Sequence, residues 1–193
     1  MTKEKLAKTN QDLSPTLRTN LQCSSIIALC FLWTSTGYLS WLYHLMDFVK
    51  PTTADWLTEV IGYLFQAAGL FLFSLALHYR KEWILKKSFF VESIGIDFVF
   101  IVLSILSNSM ITILVFGYLM NLFHGIIAGF YLFLLTTEVA PSYRSLVFGG
   151  AYGVASIASW LLSLLKDANF LRSDYALIFY GIFICITIGI ILS

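Results

Sequence analysis

The chain has 193 residues, of which 59% are hydrophobic and only 12% are charged. So few charged groups cannot cover the surface of a water-soluble domain of this length, and the composition therefore predicts a membrane protein. The formal net charge is +1 and the basic residues stand at the ends of apolar runs, which excludes nucleic acid as a partner and leaves the lipid bilayer as the expected surroundings.

The predicted elements begin with a polar cytoplasmic tail, residues 1–22, followed by a transmembrane domain, residues 23–193. The apolar run after the tail is long enough to cross a bilayer and lacks a small-residue cleavage site, so it is a membrane span and not a signal peptide. Turn residues and polar clusters divide the domain into six spans. The predicted spans are residues 23–46, 56–78, 88–106, 111–137, 145–165 and 175–193.

The distribution of basic residues predicts the orientation of these spans. The tail and the loop between spans two and three carry four basic residues each, and the fourth loop carries Arg144. The opposite side carries Lys50, Lys166 and Arg172. Because cytoplasmic loops carry the excess of Lys and Arg, both termini are predicted to be cytoplasmic in a plasma or inner membrane.

Polar side chains within the spans are costly, so each one needs a partner or a function. Asp97 in span three is expected to have a partner on a neighbouring helix. For His124 two interpretations stay open: a packed hydrogen bond between helices, or a ligand for a solute or a proton in a wet cavity. The predicted solute-binding residues come from spans one, two, four and five: Thr34, Tyr38, Gln66, Asn121, His124 and Tyr152.

Enzymatic and metal-binding motifs are missing from the sequence. It contains neither GxSxG nor HExxH, and His124 has no acids at the helical spacing that a metal site requires. The three cysteines, Cys23, Cys30 and Cys185, lie in apolar runs, where a free thiol behaves as a small apolar group. The sequence therefore predicts no enzyme, no catalytic residue, no metal, no cofactor and no disulfide.

Two stripes of small residues predict how helices pack. Gly125 and Gly129 form a GxxxG pattern in span four, and Gly149 and Gly153 begin a similar stripe in span five. Small residues let helix backbones approach closely in a membrane. Because a short turn joins spans four and five, we expect these two stripes to face each other.

Three segments resemble a known family. EVAPSYR, residues 138–144, resembles the E-x-x-P-x-x-x-R turn between spans four and five of sugar-porter-like transporters. HYRKEWILKK, residues 78–87, is similar to the loop G-x-L-x-D-R-x-G-R-R. NLFHGIIAG, residues 121–129, resembles an R-x-x-Q-G segment of span four, with Asn121 in place of the Arg and His124 in place of the Gln. With six spans, the chain looks like the amino-terminal half of a major facilitator superfamily transporter.

This resemblance implies a fold and a function. The fold would be an all-α membrane bundle of two three-helix repeats, and the function would be secondary transport of a small solute by alternating access. Arg80, Lys81, Glu138 and Arg144 would form a cytoplasmic latch in which Glu138 pairs with a base. A full transporter has two halves, so this chain is expected to be a half or a truncated product that needs a second six-helix half or a homodimer partner. The alternative is a membrane sensor or anchor that transports nothing.

Overall fold

The computed structural model describes residues 3–164, 171 and 174–193, and the side chains of residues 16–164, 171 and 175–193. This part of the chain is helical and contains no strand. Six of its helices are long and apolar enough to cross a membrane, which confirms the expected multi-pass, all-α membrane protein. Lys166 and Arg172, which were assigned to the last outer loop, lie outside the described residues.

The six spans agree with the predicted ones to within a few residues, except at the amino-terminal ends of spans one and two. The expected break between spans three and four is confirmed, because helix ends at Leu106 and resumes at Met110. A one-turn helix, Lys81–Ile84, lies in the basic loop. The observed bounds are Lys3–Leu45, Pro51–Tyr79, Lys87–Leu106, Met110–Glu138, Arg144–Leu164 and Asp174–Leu192.

Span one is longer than a bilayer requires. Its helix begins at Lys3 and has 43 residues, which at 1.5 Å per residue gives a length of about 65 Å, twice the hydrocarbon thickness. The apolar part is Thr16–Leu45. From Lys3 onward, the predicted tail is therefore a continuation of the helix of span one.

Span two contains an irregular first third. Pro51 opens the helix at its first turn, where a missing N–H costs nothing. Residues Leu57–Gly62 then form a π-helix, in which each N–H bonds the carbonyl five residues before it. A regular α-helix follows over Tyr63–Tyr79. The residues that span two contributes to the site described below stand directly after this π-helical turn.

Spans one and four form the centre of the bundle. Span four packs along spans two and three, and span one packs along spans five and six. Spans one and four also contact each other, as do spans three and six. Spans four and five, although joined by a short turn, touch only slightly, and within the described residues spans two and five make no substantial contact.

The GxxxG pattern of span four therefore packs against span two, and the prediction that it faces span five is wrong. A Cβ on Gly125 would meet the backbone of Gln66 and Leu70, and one on Gly69 would meet the backbone of Leu122. The glycines of both helices thus lie at one close crossing. A GxxxG pattern marks the face on which a helix can be approached, but it does not identify the neighbour.

The small residues of span five serve a different contact. A Cβ on Gly149 or Gly153 would meet nothing within 4 Å, so these glycines face open space. The opposite face carries Ser159, whose hydroxyl lies 2.6 Å from the hydroxyl of Ser35 on span one. This hydrogen bond and the surrounding contacts direct span five onto span one, away from span four.

Candidate solute cavity

A cavity of about 470 Å³ lies between spans one, two, four and five. These are the four spans from which the sequence analysis selected solute-binding residues. The structure brings all six of those residues to the wall of this one cavity, while their binding of a solute stays a prediction: Thr34, Tyr38, Gln66, Asn121, His124 and Tyr152.

Helical spacing explains why these side chains share one cavity. Thr34 and Tyr38 are four residues apart, and Asn121 and His124 are three apart, so each pair projects from one side of its helix. The same spacing identifies wall residues that the sequence analysis missed. Three of them stand three or four residues from a predicted one, or next to it, and the last stands two turns from Tyr152: Ser35, Tyr63, Ser156 and Ser159.

Several polar atoms of the wall have partners within their own helix. The hydroxyl of Thr34 donates to the carbonyl of Cys30 at 2.7 Å, and Nδ2 of Asn121 donates to the carbonyl of Gly117 at 2.8 Å. Oδ1 of the fully buried Asn121 has no partner, and the hydroxyl of Tyr38 has none of good geometry. Buried polar atoms are normally hydrogen-bonded, so these two atoms lack the partner that such atoms usually have.

Aromatic rings fix the shape of the wall. Tyr38 stacks on Tyr63 with ring centroids 5.7 Å apart and an angle of 7° between the ring planes. Phe31 packs edge-on against Tyr152 with a centroid distance of 5.1 Å, and it also contacts the ring of Tyr131 at 5.0 Å. These contacts hold large side chains from all four spans in defined positions around the cavity.

The cavity is open to the side of the bundle. Spans two and five, which stand on either side of the opening, make no substantial contact with each other within the described residues. Tyr63 on span two is 54% exposed and Tyr152 on span five is 51% exposed. Polar wall residues thus reach the surface at a depth where the neighbouring helices are apolar.

A buried pair of ionisable side chains lies behind the wall. Asp97 of span three is completely buried, and its Oδ2 lies 3.3 Å from Nε2 of His124. This confirms the expectation that Asp97 has a partner on a neighbouring helix. The two atoms are within ion-pair distance but lack the alignment of a full hydrogen bond, and Oδ1 of Asp97 has no partner. His124 therefore contacts span three and also borders the cavity.

The four residues of the predicted latch are not brought together. Nε of Arg144 donates to the carbonyl of Val139 at 2.9 Å, and Nη2 donates to the carbonyl of Thr136 at 2.5 Å. Arg144 thus caps the carboxyl end of span four, where a cation is favoured. Its guanidinium is occupied by these carbonyls, which explains why it does not pair with Glu138.

Glu138 makes no ion pair with any residue whose side chain is described. It borders a second cavity of about 360 Å³ together with Lys86 and Lys87. Arg80 and Lys81 line a separate surface depression. The predicted pairing of Glu138 with a base is therefore absent in this conformation, because exposed charges gain little from pairing when water is present.

No family model, curated protein or solved structure matches the chain. The resemblance to major facilitator transporters therefore rests on the three sequence segments alone.

Proposed function

We propose that this chain is one half of a secondary transporter of the major facilitator type, which moves a small polar solute by alternating access. The observation that supports this proposal is the cavity between spans one, two, four and five, where unpaired polar atoms lie among apolar helices. Polar groups at this depth are expensive, and a bound solute that hydrogen-bonds to them would explain their presence.

The helix contacts support an arrangement of two three-helix repeats. A pseudo-twofold axis between two repeats would exchange span one with span four, span two with span five, and span three with span six. Under this exchange, the contact between spans two and four corresponds to the contact between spans five and one. The same exchange turns the contact of spans three and four into that of spans six and one. It leaves the contacts of spans one and four, and of spans three and six, unchanged. All six contacts are present, as a pseudo-twofold axis between repeats would require.

The side opening supports a second subunit as partner. Hydrocarbon chains cannot hydrogen-bond to the hydroxyls of Tyr63, Tyr152 and Ser156, which stand at the opening. A second six-helix half or a second copy of the chain, placed against spans two and five, would cover them. The cavity would then lie between the two halves, and rocking of one half against the other would expose it to each side in turn.

The orientation of the spans in the membrane is part of the same proposal. The excess of basic residues in the second loop supports a cytoplasmic location for both termini. Reporter fusions that are active only on one side of the membrane test this directly. We expect fusions after Ser193 and within the basic loop to report the cytoplasm, and a fusion at Lys50 to report the opposite side.

Uptake into proteoliposomes tests the transport proposal, with a panel of labelled sugars, amino acids and nucleosides as probes. We expect saturable uptake of at least one class, reduced at least about tenfold by Gln66→Leu or Thr34→Val, since one lost hydrogen bond costs about 1.4 kcal/mol. Thr187→Val is the matched control. Its hydroxyl also bonds a carbonyl one turn earlier, at 2.7 Å, but it lies on span six outside the cavity.

Equal loss of uptake in Thr34→Val and Thr187→Val would contradict the assignment of the cavity as the binding site. Native mass measurement in mild detergent tests the partner. A homodimer is expected if the chain acts with a copy of itself, and a strict monomer requires a separate second half.

The second candidate function is a sensor or anchor that binds a solute without moving it. It is favoured by the ion pair that Glu138 does not make in this conformation, since the latch expected to hold one of two alternating states is not formed here. Thermal stabilisation by a solute of the panel, with no uptake of that solute by the assembled protein, would favour this candidate over transport.

A further inference from the structure

The charge of the cavity depends on one pair of residues. Among the residues that line it, His124 is the only His, Asp, Glu, Lys or Arg. Behind His124 stands Asp97, which is fully buried and is separated from the cavity by the imidazole. The other titratable groups around the pair are a thiol, Cys30 of span one, and phenols of the wall such as Tyr131, which are uncharged at neutral pH.

The carboxylate of Asp97 is poorly compensated. Neither of its oxygens has a hydrogen bond of good geometry, and Nε2 of His124, at 3.3 Å, is its only charged partner among the residues whose side chains are described. A buried charge without a partner is strongly unfavourable. One proton on the pair makes its net charge zero, whereas the pair without that proton carries a net charge of −1.

We propose that Asp97 and His124 together form the proton-binding site of the cavity. The proton is held on the pair as an imidazolium beside a carboxylate. When it leaves, an N–H bond of His124 breaks, its electron pair stays on the ring nitrogen, and the proton passes to water in the cavity. Asp97 has no other route to water, because it is completely buried. His124 is therefore the only exchange point that the described residues offer.

This inference adds a proton-binding site to the proposed function. It rests on that function only where it couples the binding of the proton to the binding of a solute. A solute that contacts His124 changes the stability of the protonated pair, and by linkage the proton changes the affinity for that solute by the same factor. The alternative is a static pair that fastens span three to span four and keeps its proton at every pH at which the protein is folded. The two differ in whether His124 titrates.

Trp33 supplies a reporter for this difference. Its indole is completely buried and stands edge to face with the ring of His124, with centroids 6.2 Å apart. An imidazolium quenches indole fluorescence more strongly than a neutral imidazole does. Because the chain contains four other tryptophans, the signal of Trp33 is obtained by subtracting the spectrum of Trp33→Phe from that of the wild type, both in lipid nanodiscs.

We expect this difference signal to fall as the pH is lowered, along the curve of a single proton. His124→Gln removes the change. Asp97→Asn changes the midpoint of the curve, because the carboxylate beside the imidazole is lost. His44→Gln is the matched control, since His44 also stands near a carboxylate, that of Asp47 at 3.7 Å, but outside the cavity. It leaves the curve unchanged.

A single variant that removes one charge of a buried pair can fail to fold. The double variant Asp97→Asn with His124→Gln contains no buried charge, and it is expected to fold and to give a flat difference signal. A flat signal in the wild type, or a pH-dependent signal that persists in the double variant, overturns the proposal. This experiment uses no solute, so its result holds whether or not uptake of a solute is found. Conversely, a pair that does not titrate would not contradict the proposed transport.

Discussion

The crossing of spans two and four makes Gly125→Ala a destabilising substitution. A Cβ at Gly125 would lie 2.7 Å from the backbone nitrogen of Leu70 and 2.9 Å from the carbonyl carbon of Gln66. At Gly69, on the other helix, it would lie 2.9 Å from the carbonyl carbon of Leu122. These neighbours are backbone atoms that cannot rotate away, so the two helices must move apart along their whole contact.

The expected magnitude follows from two opposing effects. Overpacking a close contact costs about 1 to 3 kcal/mol, and replacing Gly by Ala within a helix gains up to about 1 kcal/mol. Because backbone meets backbone here, we expect a net loss of about 2 kcal/mol for Gly125→Ala. Gly149→Ala and Gly153→Ala are the matched controls, since a Cβ there meets nothing within 4 Å. They should leave the free energy of unfolding unchanged or raise it by up to about 1 kcal/mol.

Thermal unfolding in detergent measures this difference, with a thiol-reactive dye that becomes fluorescent when buried cysteines are exposed. Cys23 and Cys30 are buried and serve as the reporters. The unfolding temperature should fall for Gly125→Ala and for Gly69→Ala and should not fall for the two controls. The opposite order, with Gly149→Ala destabilising and Gly125→Ala neutral, would mean that the stripes of spans four and five face each other, and would refute the packing described above.

Three further predictions concern polar side-chain contacts, each measured by the same thermal unfolding. Asp97→Asn and His124→Gln should each lower the free energy of unfolding by about 3 to 5 kcal/mol. The double variant should recover most of this loss. If the two losses were additive in the double variant, the pair would not interact. Tyr180→Phe removes the hydroxyl that lies 2.5 Å from the hydroxyl of Ser40 and 2.9 Å from the carbonyl of Thr36, and it should lower the free energy of unfolding by about 1 to 3 kcal/mol. The control Tyr175→Phe, at a residue that is 71% exposed, should leave this free energy almost unchanged. Equal effects of the two variants would contradict the prediction. Arg144→Gln should cost about 1 to 2 kcal/mol by uncapping span four, and an unchanged unfolding temperature would show that its two hydrogen bonds are not maintained.

Hydropathy alone was sufficient to predict the six spans, because the length of an apolar run is a local property of the sequence. The cavity was predictable for a similar reason. Thr34, Gln66 and Asn121 are polar residues within such runs, and the bilayer offers them no partner, so they gather where helices face one another. Helical spacing from Gln66 and from Tyr152 would also have identified Tyr63 and Ser156.

Relations between distant residues were not predictable. The glycines of span four indicated a close crossing without identifying span two, because Gly69 has no second glycine four residues away and forms no GxxxG pattern. Asp97 required a partner, but several spans contained polar candidates, and only packing selects His124. Arg144 and Glu138 stand six residues apart and looked like partners, yet the carbonyl end of a helix competes for the guanidinium and binds it.

The π-helical turn Leu57–Gly62 sets the rotational phase of span two. A π-turn holds about one residue more than an α-turn, and one residue corresponds to a rotation of about 100° around a helix. The side chains after the turn are therefore rotated around the helix axis, relative to those before it, from the positions that a single regular α-helix would give them. Removing one residue from this turn would let span two become α-helical throughout and would rotate Tyr63 and Gln66 away from the cavity, or turn the first part of the span away from the bundle. The cavity would then lose one of its four sides, although no residue of its wall had been substituted or removed.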